Sequence, residues 1–305
     1  MKANGPALCV AVITRERPDG LERLLNALEL QDFDGTFRVV VVDNDPAASA
    51  RKVCGKPRNF ALEYKVEPKP GIPFARNTAT ASLQDSDDAL VTVDDDEVPV
   101  PTWLRHLVKT RDRYNADVVA GPVIPSFSGR VPDWAIRGGF FERPRMPTGT
   151  VREAVFTGNL LLSRSVVRAL EPLFDERMAL TGGSDAHLAK RMSLAGFKMV
   201  WCDEAVCEET VPESRVSVEW LLKRSFRVGA TRAYIEHDLG MGRDRAWVAV
   251  RGVTNLLRGS VLLPAYALRG TPGVLHGLRR LAIGAGLLSG SFGVMYDEYS
   301  RVHKV

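Results

Sequence analysis

The sequence predicts an α/β fold built on a mostly parallel, doubly wound sheet, and three observations carry that prediction. Leu8–Thr14 (LCVAVIT) and Phe37–Asp43 (FRVVVVD) are apolar without in–out alternation, the pattern of strands buried on both faces. Segments with leucines at helical spacing alternate with these runs, as βαβ connections require. Polar, largely acidic residues follow immediately after several apolar runs, where an open parallel sheet presents its ligand-binding edge.

The elements are expected in the following order. Gly20–Gln31 (GLERLLNALELQ) is an amphipathic helix, Leu62–Val66 a third strand, Ile72–Leu83 a helix and Ala89–Val93 (ALVTV) a fourth strand. Pro101–Asn115 is a helix with proline in its first turn, where a missing N–H costs little. Asp117–Gly149 is a strand followed by a long excursion rich in Gly, Pro and Arg, the kind of loop that serves as a lid or binding loop. Val155–Leu162 (VFTGNLLL) resumes a strand, Ser184–Ala195 is a helix entered through Thr181-Gly182-Gly183, and Phe197–Cys202 is another strand. From Ser217 helical patterns dominate, which divides the chain into 1–216 and a helical region, 217–305. Leu281–Tyr296 carries no charge but falls short of the ~20 residues of a spanning helix, so no transmembrane span is expected. Two readings of it stay open: a core helix pair packed on the catalytic domain, or a membrane-surface or re-entrant element served by Arg258, Arg269, Arg279 and Arg280.

Net charge is +4 at pH 7, too mild for a dedicated nucleic-acid binder, though it suits a protein that holds a diphosphate or works beside anionic lipid. Cys9, Cys54, Cys202 and Cys207 form no CxxC pair; Cys9 reads as a small buried hydrophobe, and Cys202 with Cys207 is the weak metal candidate. Met1–Pro6 has no leader pattern, and the expected setting is a reducing cytoplasm.

Three strand ends deliver the candidate chemistry: Thr14-Arg15, Asp43-Asn44-Asp45 and Asp94-Asp95-Asp96-Glu97. Clustered carboxylates repel unless a cation compensates, and hard oxygen donors suit Mg²⁺ or Mn²⁺, which in turn would neutralise a diphosphate. No GxGxxG follows the first strand and no GxxxxGK[ST] is present, which removes dinucleotide and P-loop sites. VVVVDND at Val39–Asp45 also admits an aspartyl-phosphate phosphatase, with Asp43 as nucleophile and Asp45 as acid. That alternative leaves Asp94–Glu97 and Thr181–Asp185 unexplained.

ITRERP, VVVDND, PGIPFARN, VTVDDDEVP, TGGSDAHL and KRSFRVG, in that order from about Leu8 to about Gly229, resemble family 2 glycosyltransferases of the GT-A fold, which is Rossmann-like, and among them bacterial exopolysaccharide (succinoglycan-type) enzymes. The resemblance implies a nucleotide-sugar donor, UDP-type favoured, held by Thr14, Arg17, Asp43, Asn44, Arg76, Asp94 and Asp95. It implies Asp96 as the ligand of Mg²⁺ or Mn²⁺ and Asp185 as the general base of an inverting transfer. The implied acceptor is a sugar or lipid-linked hydroxyl, met in the cytoplasm or peripherally at the inner face of the plasma membrane. Ser184 departs from the family pattern, which has Glu before that aspartate, and this one departure supports a non-catalytic binding or scaffold module as the alternative. QxxRW is absent, and Lys223, Arg224, Arg227 and Arg232 stand in its region as candidate diphosphate or lipid-headgroup contacts. His187 and His237 are secondary metal candidates, and Trp134 a candidate sugar platform.

Overall fold

A computed structural model describes residues 5–240 and 245–294. Its contacts divide the chain into two units: Met1–Ile124 with Arg143–Ala179 and Ser184–Glu209, and Pro125–Glu142 with Leu180–Gly183 and Thr210–Val305.

In chain order the elements begin with β1 (Ala7–Thr14), α1 (Pro18–Glu29), β2 (Thr36–Asp43), α2 (Arg51–Cys54), β3 (Ala61–Val66), α3 (Ile72–Thr80), β4 (Ala89–Asp94) and β5 (Glu97–Pro99). There follow α4 (Trp103–Tyr114), β6 (Val118–Ala120), β7 (Val123–Phe127), α5 (Asp133–Arg137), β8 (Val151–Arg152), β9 (Asn159–Ser163), α6 (Arg164–Ala169) and α7 (Ser184–Leu194). The chain continues through β10 (Met199–Trp201), β11 (Cys207–Val211), α8 (Val218–Asp238), α9 (Arg245–Ala267) and α10 (Gly270–Ser291).

The expected α/β class holds. Eight strands form one sheet in the order β3-β2-β1-β4-β9-β6-β10-β8. β3, β2, β1 and β4 run parallel, and β9 is antiparallel to both β4 and β6. A second sheet has the order β5-β11-β7.

Alternate residues of the buried strands enter two cores, which is why the runs read as continuously apolar. Val10, Val12, Val39, Val41, Val91 and Val93 face Leu21, Leu24, Leu25 and Leu28 of α1 and Trp103, Leu104 and Leu107 of α4. Cys9, Ala11, Val40, Val42 and Leu90 face Ala75 and Ala79 of α3 and Leu188 and Met192 of α7.

Among the elements whose bounds differ from expectation, two do so for reasons that local bonds show. Trp103 donates its N–H to the Val100 carbonyl at 3.0 Å, so Pro101 is the second residue of a turn and α4 starts after it. The strand expected over Val155–Leu162 begins only at Asn159. Upstream of it, the Thr157 carbonyl accepts the Thr92 hydroxyl at 2.5 Å rather than a ladder bond.

In the second unit α10 packs against α8 and α9 with backbones in close approach. A Cβ on Gly286 would overlap the Phe226 carbonyl, and one on Gly284 would sit 3.0 Å from the Gly252 carbonyl. Leu281–Ser291 has no exposed residue, and its glycines lie against α8 and α9. Met295 and Tyr296, the end of that apolar run, lie outside the described residues. Among the described residues no helix is long and apolar enough to cross a membrane.

Candidate functional site: a carboxylate row at the sheet edge

Strand register brings the sequence candidates together. Thr14 lies opposite Asp43, Ile13 opposite Asp94, and Asp43 opposite Val66. The ends of β1, β2, β3 and β4 thus form one line at the carboxyl edge of the sheet, where βα loops leave backbone and side chains open to a ligand.

After β4 the side chains alternate. Asp94 and Asp96 are partly exposed, while Asp95 and Glu97 are buried. Asp95 accepts the Thr14 hydroxyl at 2.7 Å on Oδ2 and Arg17 Nη1 at 3.1 Å on Oδ1. Arg17 Nη1 also donates to Asp96 Oδ2 at 2.9 Å. Arg76 Nη2 donates to Asp94 Oδ1 at 3.1 Å and holds its guanidinium 5.3 Å from the Phe174 ring centroid. Glu97 accepts the Asp94 backbone N–H at 3.3 Å on Oε2.

Burial, then the carboxylates of Asp94 and Asp95, push Asp96 up to about 6. Burial raises Asp95 as well, against Arg17 and the Thr14 hydroxyl, which hold it down. Glu97 is pushed well above its ordinary value by burial and by Asp94 and Asp96. Desolvated like charges of this kind are costly unless a cation joins them. The open donors are hard carboxylate oxygens in adjacent, partly exposed positions, the set that Mg²⁺ and Mn²⁺ accept. The residues present fit a divalent ion.

Asp43 and Asn44 are placed differently from the open carboxylates. The Asp43 side chain has no exposure. It accepts the Asp45 N–H at 3.1 Å, the Ala50 N–H at 2.9 Å and the Tyr64 hydroxyl at 2.9 Å. Asn44 donates to the Glu67 and Lys69 carbonyls at 2.9 and 2.7 Å and accepts the Gly71 N–H at 2.9 Å. Both side chains fasten the loops after β2 and β3. A phosphatase nucleophile needs an accessible carboxylate oxygen, and Asp43 offers none.

Gly182 and Gly183, at φ 71° and 90°, lead into α7, and Asp185 lies in its first turn, partly exposed. A Cβ is strained at such φ values, so the TGG spelling follows from the backbone. Ser184 is buried. His187 is buried too, with Nε2 3.8 Å from Asp175 Oδ2. His237 Nε2 lies 3.1 Å from Arg245 Nη2. Trp134 packs on Phe140 at 5.8 Å between centroids. Lys223 pairs with Glu219 at 2.5 Å, and Arg224 lies over Trp220. Cys202 and Cys207 are buried thiols, both raised by burial.

Gly158 is the site residue that sequence reasoning missed. A Cβ there would collide with the Glu97 carboxylate and lie 3.2 Å from Asp94 Oδ2. A glycine inside an apparent strand run was the available signal.

A family model for glycosyl transferase family 2 matches residues 9–170, the stretch that runs from within β1 through β9 and holds the carboxylate row. The chain belongs to that family. It is 31% identical over 305 residues to the succinoglycan biosynthesis protein ExoM of Rhizobium meliloti (strain 1021), covering 97% of this chain and 96% of that one. This family 2 glycosyltransferase also resembles the mannosyltransferase PcManGT of Pyrobaculum calidifontis, solved with GDP-Man and Mn²⁺. The TM-score is 0.64 at 18% identity, over 95% of this chain and 88% of that one. For S. aureus TarS residues 1–349, solved with UDP-GlcNAc, the TM-score is 0.56 at 16% identity, over 97% and 93%. At those identities the likeness establishes the GT-A fold. Membership of a glycosyltransferase family replaces the phosphatase and scaffold readings.

Proposed function

We propose that this glycosyltransferase moves one sugar, with inversion, from a nucleoside-diphosphate sugar, UDP-type favoured, to a hydroxyl of a sugar or lipid-linked oligosaccharide acceptor in polysaccharide synthesis. The observation that carries the reading is the row at the sheet edge. Thr14, Asp43 and Asp94 end three adjacent strands in register, and Asp94 and Asp96 are the carboxylates left partly open. Fold likeness to enzymes solved with UDP-GlcNAc or with GDP-Man and Mn²⁺ supports a nucleotide-sugar donor, and full-length likeness to ExoM supports the polysaccharide setting.

Asp96, with Asp94 beside it, would hold Mg²⁺ or Mn²⁺, and the ion when bound would supply charge stabilisation to the departing nucleoside diphosphate. Arg76 adds a guanidinium at the same edge, suited to phosphate oxygens. Thr14, Arg17 and Asp95 form the bonded floor that fixes the row, while Asp43 and Asn44 shape the loop walls around the base and ribose. Asp185, at the start of α7, takes the acceptor hydroxyl proton as the new glycosidic bond forms at the anomeric carbon. Gly182 and Gly183, both at positive φ, make the turn that delivers it there. Release of nucleoside diphosphate from UDP-GlcNAc, UDP-Glc and GDP-Man, each with Mn²⁺ and with excess EDTA, tests the reading. Turnover of one donor that stops in EDTA supports it, and full turnover in the chelator refutes the assignment of Asp94 and Asp96.

A further inference from the structure

Helix α9 has a glycine-packed back and an apolar front. Gly252 and Gly259, two turns apart, turn toward α10, where a Cβ would lie 3.0 Å from the Gly284 carbonyl or from Leu281 Cγ, respectively. On the other side Val250, Val253, Leu257 and Val261 are 62, 44, 62 and 75% exposed. At 100° per residue these four span an arc of roughly 80°, away from the glycines. Trp247 and Leu262 flank the arc and are exposed too. Single exposed hydrophobes are ordinary; a continuous row of them along a helix is an interaction surface.

Charge decides what the surface meets. From Arg245 to Ser291 the sequence has six arginines and no aspartate or glutamate. Arg258 on α9 and Arg269, two residues past its end, are exposed. An apolar stripe with exposed guanidiniums matches acyl chains beneath phosphate headgroups; the nearby Glu236 is buried and already paired with Arg251. The charge-free run in α10, which the sequence offered as a membrane-surface element, has no exposed residue between Leu281 and Ser291.

We propose that α9 lies flat on an anionic phospholipid bilayer, with Val250, Val253, Leu257 and Val261 among the acyl chains and Arg258 and Arg269 at the phosphates. The inference stands apart from the donor and acceptor reading, because it needs no sugar chemistry.

The test is co-sedimentation of the full chain with phosphatidylcholine vesicles and with vesicles containing about one third phosphatidylglycerol. The chain is expected to follow the anionic vesicles, and less so as salt rises. A Val250→Ser, Leu257→Ser, Val261→Ser variant should lower the partition coefficient about tenfold or more. Brominated lipid should quench tryptophan emission of the unaltered chain, and Trp247→Phe should remove most of that quenching. The proposal is overturned if anionic vesicles sediment no more protein than neutral ones, or if brominated lipid leaves the emission unchanged. A dimer seen by light scattering and dissolved by the triple variant would also overturn it, since the face would then cover a second copy.

Discussion

The hydroxyl of Thr14 donates to Oδ2 of Asp95 at 2.7 Å, tying the end of β1 to the turn that follows β4. Both side chains are buried, so the bond has no water to replace it. Thr14→Val keeps the shape and strands one carboxylate oxygen. We expect a loss of about 1–3 kcal/mol of unfolding free energy in urea, with Thr14→Ser close to the unaltered chain.

Asp96 is pushed up to about 6 by burial and by its carboxylate neighbours. A carboxylate whose folded value is raised favours the protonated fold, so its contribution is present at low pH and is lost as pH climbs from about 4 through about 6. A divalent ion competes with that proton. The increase in Tm caused by Mn²⁺ should therefore be small at pH 5 and reach its full size near pH 7. A pH-independent increase would count against Asp96 as a ligand.

Gly158 lies against the carboxylates of Glu97 and Asp94. Gly158→Ala should cost about 1–3 kcal/mol of stability by overpacking and weaken Mn²⁺-dependent nucleotide binding, because the row must shift to admit the methyl group. Thermal melts with and without Mn²⁺ separate the two effects.

Asp185 lies in the first turn of α7, and the proposed function gives it the acceptor's proton. Asp185→Asn should lower sugar transfer by about 10²–10⁴-fold while nucleotide affinity stays near that of the unaltered chain. Transfer at the unaltered rate would reduce Asp185 to a helix-terminal acid that complements the dipole.

Much of this fold was legible because burial on both faces writes itself as unbroken apolar runs. β1, β2 and β4 were found within a residue or so for that reason. The start of β9 was not, since VFTG is as apolar as a strand, yet Thr157 and Gly158 are engaged with Thr92, Glu97 and Asp94. Pro101 misled for a similar reason: proline opens turns as readily as helices. At the site, the strand-end rule located Thr14, Asp43 and Asp94 correctly on one edge, but spacing cannot tell an open carboxylate from a sealed one. Asp43 looks like Asp94 in sequence and differs by the Tyr64 hydroxyl and two backbone N–H groups that close around it. The exposed row of α9 was hidden by the more apolar α10, because which of two apolar helices is covered depends on glycine contacts distant in sequence.

The most direct measurement is titration calorimetry of UDP and GDP into the chain and into Asp96→Asn, each with Mn²⁺ and with EDTA. The account predicts that at least one nucleotide binds the unaltered chain in Mn²⁺ and that Asp96→Asn weakens it by about tenfold or more, a difference that vanishes in EDTA. Equal affinity of the two proteins in Mn²⁺ would contradict it.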